Sequence, residues 1–281
     1  MSDFFNDWIT LYQEPMFLQL PMATLALSVG SFLFFALPWT LLAWVDPLWA
    51  RPYKIQQKPF QVRTYFWPNI ARITINSTMM FVLLVLAWPL LRLSNIHIGE
   101  IPPWYIWVIQ IVFFLILDDF LFYWMHRWMH ENKWVLRNIH SVHHRIRNTC
   151  AIDGNYFHWV EFVLIGSLAM VGPILLGCHI YVLYLWIIIR NLEAADGHTG
   201  YDLPWNPLRF LPLYDGAVYH DFHHARFKGN YAGALHYVDH YFGTYIKEYL
   251  EYKKAHKKSD SEGSVIPADK VNCKARESTL G

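Results

Sequence analysis

The stretch "MATLALSVGSFLFFALPWTLLAWV", residues 22–45, contains no charged side chain and is followed directly by Asp46. A helix of this length covers the roughly 30 Å hydrocarbon core of a bilayer at about 1.5 Å per residue. The stretch begins too far from Met1 and runs too long for a cleaved signal peptide, and no basic region precedes it, so we expect it to remain in the mature protein. The sequence therefore predicts a membrane helix here.

Composition and further apolar segments extend this prediction to the whole chain. Of 281 residues, 54% are hydrophobic and only 16% are charged, which is outside the usual balance of a soluble domain. Ile73–Leu91 and Trp104–Met125 predict a second and a third span. The segment Val160–Ile189 is interrupted by Glu161 and Pro173, and its two halves of about 15 residues favour a tight or re-entrant hairpin. We expect an all-α, multi-pass membrane protein with about four to five membrane helices.

The charged residues of the loops predict the orientation. Lys and Arg gather between the first two spans and after the third span, whereas the loop after the second span carries little more than Arg92 and Glu100. Cytoplasmic loops carry an excess of Lys and Arg, so we expect both basic regions to be cytoplasmic. Residues 1–21 would then form an extra-cytoplasmic segment that includes Asp3, Asp7 and Glu14.

Composition along the chain also predicts the domain limits, and the net charge narrows the classes of binding partner. We expect one membrane domain over residues 22–248, with a cytoplasmic cap, followed by a disordered polar tail over residues 249–281. The net charge of +1 gives no basic excess for binding nucleic acid. Three scattered cysteines predict neither a disulfide framework nor a cysteine-based metal site.

Three histidine-rich stretches stand out: "HRWMH" at 126–130, "HSVHH" at 140–144 and "HDFHH" at 220–224. On a helix, side chains at i and i+4 share a face, while adjacent side chains point about 100° apart. His126 and His130 can thus share one ion, His140 can share a site with His143 or with His144, and one stretch can contact two metals. Clustered imidazoles without thiolates suit iron or zinc. The predicted ligands are His126, His130, His140, His143, His144, His220, His223 and His224.

Other polar residues near these stretches have two interpretations each. His158 and His198 stand near predicted helix ends and are either ligands or structural residues. Asp119 lies two turns before His126, where it can orient a ligating imidazole, cap the membrane boundary or pair with Arg127. Glu193 is grouped with Asp119 as a supporting residue, although its i,i+3 spacing from Arg190 makes an ion pair a sufficient account.

Longer stretches resemble a known family. "LDDFLFYWMHR" at 117–127, "IHSVHH" at 139–144, "RNLEAADGHTGYDLPWNP" at 190–207 and "HDFHHARFKGNYAGAL" at 220–235 are similar to the fatty acid hydroxylase and sterol desaturase superfamily, and most similar to its 4-methylsterol oxidase branch. The similarity covers about residues 50–245. It implies that His158 and His198, which match two further family histidines, are ligands together with the eight histidines of the three stretches.

The resemblance also implies a function. It implies a non-haem di-iron centre, which zinc can occupy after overexpression, and oxidation of a sterol methyl group with O2. Electrons would come from NAD(P)H through separate donors, a reductase and cytochrome b5, because the sequence contains no HPGG haem motif. The expected location is the endoplasmic reticulum membrane, or the cytoplasmic membrane in a bacterium, with the site facing the cytoplasm.

Other functions remain open from the residues. A sterol desaturase or another lipid hydroxylase has the same scaffold. A metal transporter also uses intramembrane histidines, but it needs ligands distributed along a pathway. A bis-histidine haem protein does not account for the adjacent pairs His143–His144 and His223–His224.

Overall fold

The computed structural model describes residues 9–254, and its regular elements are helices with a few isolated β-bridges and no strand in that range. The α-helices are α1 (Pro15–Val45), α2 (Val62–Leu91), α3 (Trp104–Glu131), α4 (Lys133–Asn138), α5 (Trp159–Leu176), α6 (Ile180–Gly197), α7 (Gly216–Arg226) and α8 (Tyr237–Tyr241). Short 3₁₀ segments include His140–Arg145 and Ala151–Asn155. The predicted all-α class is confirmed.

Four of these helices, α1, α2, α3 and α5, are long and apolar enough to cross a membrane. Large apolar side chains on their outer faces remain exposed, among them Phe34, Leu41, Leu86 and Ile109. Such exposure is unfavourable in water and suits contact with lipid tails. The multi-pass prediction is therefore confirmed.

The first two helices begin earlier than predicted. Helix α1 begins at Pro15 and not at Met22, because a π-helical turn, Leu18–Ala23, accommodates Pro21 and continues the helix. Helix α2 begins at Val62 and not at Ile73, so that Arg63 and Arg72 lie on a helix and not in a loop. The first part of α2 is polar, so its mean hydropathy is too low to predict a membrane span, although the helix already begins there.

The predicted hairpin is longer than its sequence indicated. Helices α5 and α6 have 18 residues each, or about 27 Å per leg, and α5 meets the length and composition of a full span. The turn depends on Gly177, whose φ is +57° and whose added Cβ would lie 2.8 Å from the Asn95 Cβ. His179 then caps α6, because its Nδ1 accepts a hydrogen bond from the Tyr181 N–H.

The helices pack through two apolar clusters. Helix α1 lies along α6 and contributes Phe32 and Ala36 to a cluster that reaches Ile152 in the cap. Towards the opposite ends of the helices, Trp88, Phe114 and Trp186 form the centre of a second cluster. These contacts fix the ends of α3, α5 and α6 that carry the histidines.

A cap of short elements covers those ends and includes α4, α7, α8 and the 3₁₀ segments. Its own core contains Phe222 and Tyr249. Tyr249 is fully buried within a helical turn at 248–254, so the chain remains packed past the predicted boundary at residue 249. The rest of the predicted tail, and Asp3 and Asp7 of the predicted N-terminal segment, lie outside the described residues.

Candidate metal centre

The three histidine stretches meet in the cap and form two groups of buried imidazoles. Group one contains His126, His130, His140, His144 and His223, and group two contains His143, His198, His220 and His224. Within each group the candidate ligand atoms all lie within 4.8 Å of one another. Eight of these nine residues are the histidines of the three stretches, and His198 is the ninth.

Local structure explains how each stretch contributes. His126 and His130 lie one turn apart at the end of α3, and both belong to group one. The 3₁₀ segment places His140 and His144 in group one and His143 in group two. A single stretch thus contacts both groups, as the angle between adjacent side chains predicts.

Helix α7 divides its histidines in the same way. His220 and His224, spaced i,i+4, belong to group two, whereas His223 points into group one. His143 and His144, and likewise His223 and His224, are neighbours in the chain but belong to different groups. The two groups are therefore built from shared segments.

Hydrogen bonds of the Nδ1 atoms, which face away from the centre of each group, determine whether the Nε2 atoms that face the centre carry a proton. In group one, the Nδ1 atoms of His126 and His223 lie 2.7 and 2.9 Å from the carbonyl oxygens of Tyr231 and Gly229. A carbonyl only accepts hydrogen bonds, so these Nδ1 atoms carry the proton and the Nε2 atoms present lone pairs.

Two residues of group two are oriented in the same manner. The Nδ1 of His198 lies 2.8 Å from the Ala194 carbonyl oxygen, and that of His224 lies 3.2 Å from the Ile146 carbonyl oxygen. Their Nε2 atoms, like those of group one, turn inwards.

The inward Nε2 atoms lie at the separation expected of ligands that share one ion. The Nε2 atoms of His130, His140 and His144 are 2.9–3.1 Å apart, and in group two the pairs His198–His220, His220–His224 and His143–His224 are 3.0–3.1 Å apart. Metal–nitrogen bonds of about 2.0–2.1 Å place adjacent ligands at roughly 3 Å, so the residues fit two transition-metal ions.

Burial keeps the imidazoles neutral, the form that binds metal. Loss of solvent lowers the pKa of His223 to about 3 and that of His198 to about 4. The same cause, with added repulsion from neighbouring histidines, lowers the pKa of His143, His144 and His220. Protons therefore do not compete with a metal near neutral pH.

A five-residue loop, Phe227–Tyr231, supplies carbonyls to group one. Asp239, which is fully buried, holds this loop: its carboxylate accepts hydrogen bonds from the backbone N–H groups of Tyr231 and Ala232 at 2.8 and 2.7 Å. It also accepts from the hydroxyls of Thr244 and Tyr219. The sequence alone did not single out Asp239, because its partners are backbone groups that leave no residue pattern.

The remaining predicted site residues lie elsewhere. The structure does not bring His158 into either group; it caps α5, where its Nδ1 accepts from the Val160 N–H at 3.2 Å. Asp119 contacts no imidazole, and its Oδ1 accepts from the backbone N–H groups of Ala234 and Leu235. Glu193 forms the expected ion pair with Arg190.

Glu161 is a further site residue that the sequence-based prediction missed. Its Oε1 lies 2.7 Å from the His140 Nδ1, and both side chains are almost fully buried. The sequence suggested that Asp119 on α3 orients a ligating imidazole. In the structure the carboxylate that contacts an imidazole is Glu161 on α5. The available signal was a lone acid within the otherwise apolar segment 160–176.

A cavity of about 540 Å³ connects the histidines with the spaces between the long helices. Its wall includes His126 and His140 at one end, and Leu91 and Ile174 near the other. Along α5 it extends from Glu161 to Ile174, or roughly 20 Å. Its volume is within the range of small-molecule sites, and its wall is mostly apolar.

Fold and site together define a helical membrane protein with two buried groups of histidines, of the kind that hold metal ions, at the end of an apolar cavity. The family model described as fatty acid hydroxylase matches residues 111–244. The chain belongs to this family, which confirms the resemblance at the level of the superfamily.

Several curated relatives support this assignment. A very-long-chain aldehyde decarbonylase of Oryza sativa subsp. indica is 36% identical over 214 residues, which is 73% of this chain and 78% of the relative. Methylsterol monooxygenase 1-1 of Arabidopsis thaliana is 32% identical over 232 residues, 77% of this chain and 76% of the relative. Methylsterol monooxygenase 2-2 of the same plant is 39% identical over 166 residues, covering 58% and 62%. No solved structure matches the chain.

Proposed function

We propose that the protein is a membrane-bound, oxygen-dependent di-iron monooxygenase that oxidises a methyl group at C-4 of a sterol. The observation that carries the proposal is the position of the two imidazole groups at one end of a long apolar cavity. Such a cavity suits a lipid that enters from the bilayer. Two of the relatives described above are named methylsterol monooxygenases.

The proposed ligands are the nine histidines of groups one and two. Two iron ions, when bound, would supply the reduction of O2 and the oxidation of an unactivated C–H bond. The family-based expectation for His158 finds no geometric support in its position at the start of α5.

The chain's own residues would orient the histidines, hold the substrate and exclude water. Hydrogen bonds from Nδ1 to the carbonyls of Gly229 and Tyr231, and to the Glu161 carboxylate, fix the direction of each Nε2 lone pair. Apolar side chains of α2 and α5 in the cavity wall would hold the substrate body and keep water from the oxidised carbon.

The proposal extends to location and partners. We place the cap on the cytoplasmic side of the endoplasmic reticulum membrane, or of the cytoplasmic membrane if the protein is bacterial. There it would receive electrons from NAD(P)H through cytochrome b5 and its reductase. Residues 22–248 would act as one domain, with residues 1–21 beginning on the opposite side.

A second candidate substrate is a long-chain aldehyde. The specific observation in its favour is the 36% identity over 214 residues to a protein named very-long-chain aldehyde decarbonylase. Both candidate functions use the same site and the same cavity, so they are distinguished by which substrate the protein consumes.

Assay of isolated membranes tests the proposal. Membranes with the expressed protein, loaded with iron and supplied with cytochrome b5, its reductase, NADPH and O2, should convert a 4,4-dimethylsterol to 4-hydroxymethyl and 4-carboxy products, detected by mass spectrometry. The His140→Ala variant should form none at matched expression. Metal-loaded protein that leaves the sterol unchanged but consumes a long-chain aldehyde would overturn the proposal in favour of the second candidate.

A further inference from the structure

The cavity wall contains a carboxylate oxygen without a partner. Glu161 is 2% exposed, and while its Oε1 bonds with the His140 Nδ1, its Oε2 is buried and has no hydrogen-bond partner among the described residues. Glu161 and His140 both line the cavity. The side chain that carries the unpartnered oxygen therefore lies in the cavity wall beside group one.

Leaving such an atom unpaired is costly, because a buried charged acceptor loses its hydration without compensation. Among the other polar side chains of the wall, Asn191 bonds with the Ser31 hydroxyl, and Arg190 pairs with Glu193. The His143 Nδ1 and the Thr24 hydroxyl of the wall also lack partners among the described residues. Both of these groups can donate a hydrogen bond, whereas a carboxylate oxygen can only accept one.

We propose that the Glu161 Oε2 binds a hydroxyl group of the substrate, while its Oε1 holds His140. A carboxylate accepts hydrogen bonds and does not donate them, so its partner must carry a donor. This inference rests on the proposed function and specifies its substrate class as a lipid alcohol. In a sterol, the C-3 hydroxyl is attached to the carbon next to C-4.

The same chemistry discriminates between the two candidate substrates. An aldehyde oxygen and an ether oxygen accept hydrogen bonds but donate none, so neither satisfies the Glu161 Oε2. A substrate alcohol should bind more tightly than its methyl ether by about tenfold to hundredfold, the usual effect of a hydrogen bond to a charged group.

The test measures binding to the purified full chain in detergent, without turnover. The probes are a 4,4-dimethyl-3β-sterol, its 3-O-methyl ether and a long-chain aldehyde. In the wild type the alcohol should bind about tenfold to hundredfold more tightly than its ether. The metal content of every preparation is measured in parallel.

Variants separate the two roles of Glu161. In Glu161→Gln the amide oxygen can still accept from His140, while the amide N–H group replaces the free acceptor with a donor. We expect wild-type metal content and an alcohol-to-ether preference near one. Glu161→Leu lacks both bonds, and we expect it to lose the preference and part of the metal.

Thr24→Val is the matched comparison, because it removes the other unpartnered oxygen of the wall. The inference predicts that this variant keeps the alcohol preference of the wild type. A preference that disappears in Thr24→Val, or persists in Glu161→Gln, overturns the assignment to Glu161. Equal binding of alcohol and ether by the wild type overturns it as well, and leaves the oxygenase proposal to its own assay.

Discussion

His223 shows how one residue connects the sequence, the site and the proposed activity. It is fully buried, its Nδ1 bonds with the Gly229 carbonyl, and its Nε2 lies 3.2 Å from that of His144. The members of group one among the described residues are all histidines, so no thiolate or carboxylate of the group replaces it. Its contribution to metal binding should therefore be measurable on its own.

We expect His223→Ala to reduce bound metal from two ions per chain towards one and to abolish sterol oxidation, because group one loses a ligand. Elemental analysis of purified protein measures the metal, and the membrane assay measures oxidation. His97→Ala is the control, since His97 is exposed and belongs to neither group. Two ions and full activity in the His223 variant would contradict the role of this histidine.

Acid should destabilise the metal-free protein. Burial lowers the pKa of His223 to about 3 and that of His198 to about 4, whereas unfolded imidazoles titrate near 6.5. The unfolded state therefore binds more protons below pH ~6.5, and folding stability falls as the pH drops towards 4. Chelator-treated protein should show a lower Tm at pH 5 than at pH 7.5; an unchanged Tm would argue against burial of neutral imidazoles.

The sequence predicts most of the histidines that come together in the two groups, but not the residues that orient them. The spacing within "HRWMH" and "HDFHH" is set by helix geometry, which is a local property. The contact between His140 and Glu161 joins a 3₁₀ segment to α5, and no local spacing specifies it. For the same reason Asp119 was a plausible partner by spacing, although it contacts backbone N–H groups of residues 234 and 235.

At the scale of elements, the loop at residues 227–231 contacts group one through the carbonyls of Gly229 and Tyr231. Gly229 has a φ of +72°, and an added Cβ would lie 2.5 Å from the Ile246 Cγ1 and 2.7 Å from the Thr244 carbonyl oxygen. A side chain there must displace the carbonyl that bonds with His223.

Gly229→Ala should therefore weaken metal binding in group one while it leaves the histidines of group two in place, so that elemental analysis at saturating metal gives about one ion per chain. Cobalt substitution would show the loss of one of two visible spectra. Gly30→Ala is a matched control, because a Cβ at Gly30 meets nothing within 4 Å. If both variants retain two ions, the loop does not position group one.

The helices were predictable in number and type but not in length. Long apolar runs identify α1, α2, α3 and α5, since hydropathy reports burial in lipid directly. The starts of α1 and α2 extend into segments with proline or charge, where packing against neighbouring helices maintains a conformation that local sequence disfavours. Asn69, for example, is fully buried in α2 and donates a hydrogen bond to Asp153 of the cap.

For the molecule as a whole, the basic residues of the loops predict which side of the membrane carries the cap. From the positive-inside rule we expect the segment between α1 and α2 to lie in the cytoplasm. A glycosylation acceptor inserted near residue 60 should remain unmodified, whereas one near residue 98, between α2 and α3, should be modified. The reverse pattern would place the cap on the luminal side.

The division of neighbouring histidines between the two groups has a thermodynamic consequence. An ion bound in group one would fix the 3₁₀ segment through His144 and α7 through His223, and these same segments carry His143 and His224 of group two. The conformational entropy lost on the first binding event is then not lost again on the second. We expect loading to be cooperative, so that native mass spectrometry of partly reconstituted protein should show mainly empty and doubly loaded chains, with few singly loaded ones.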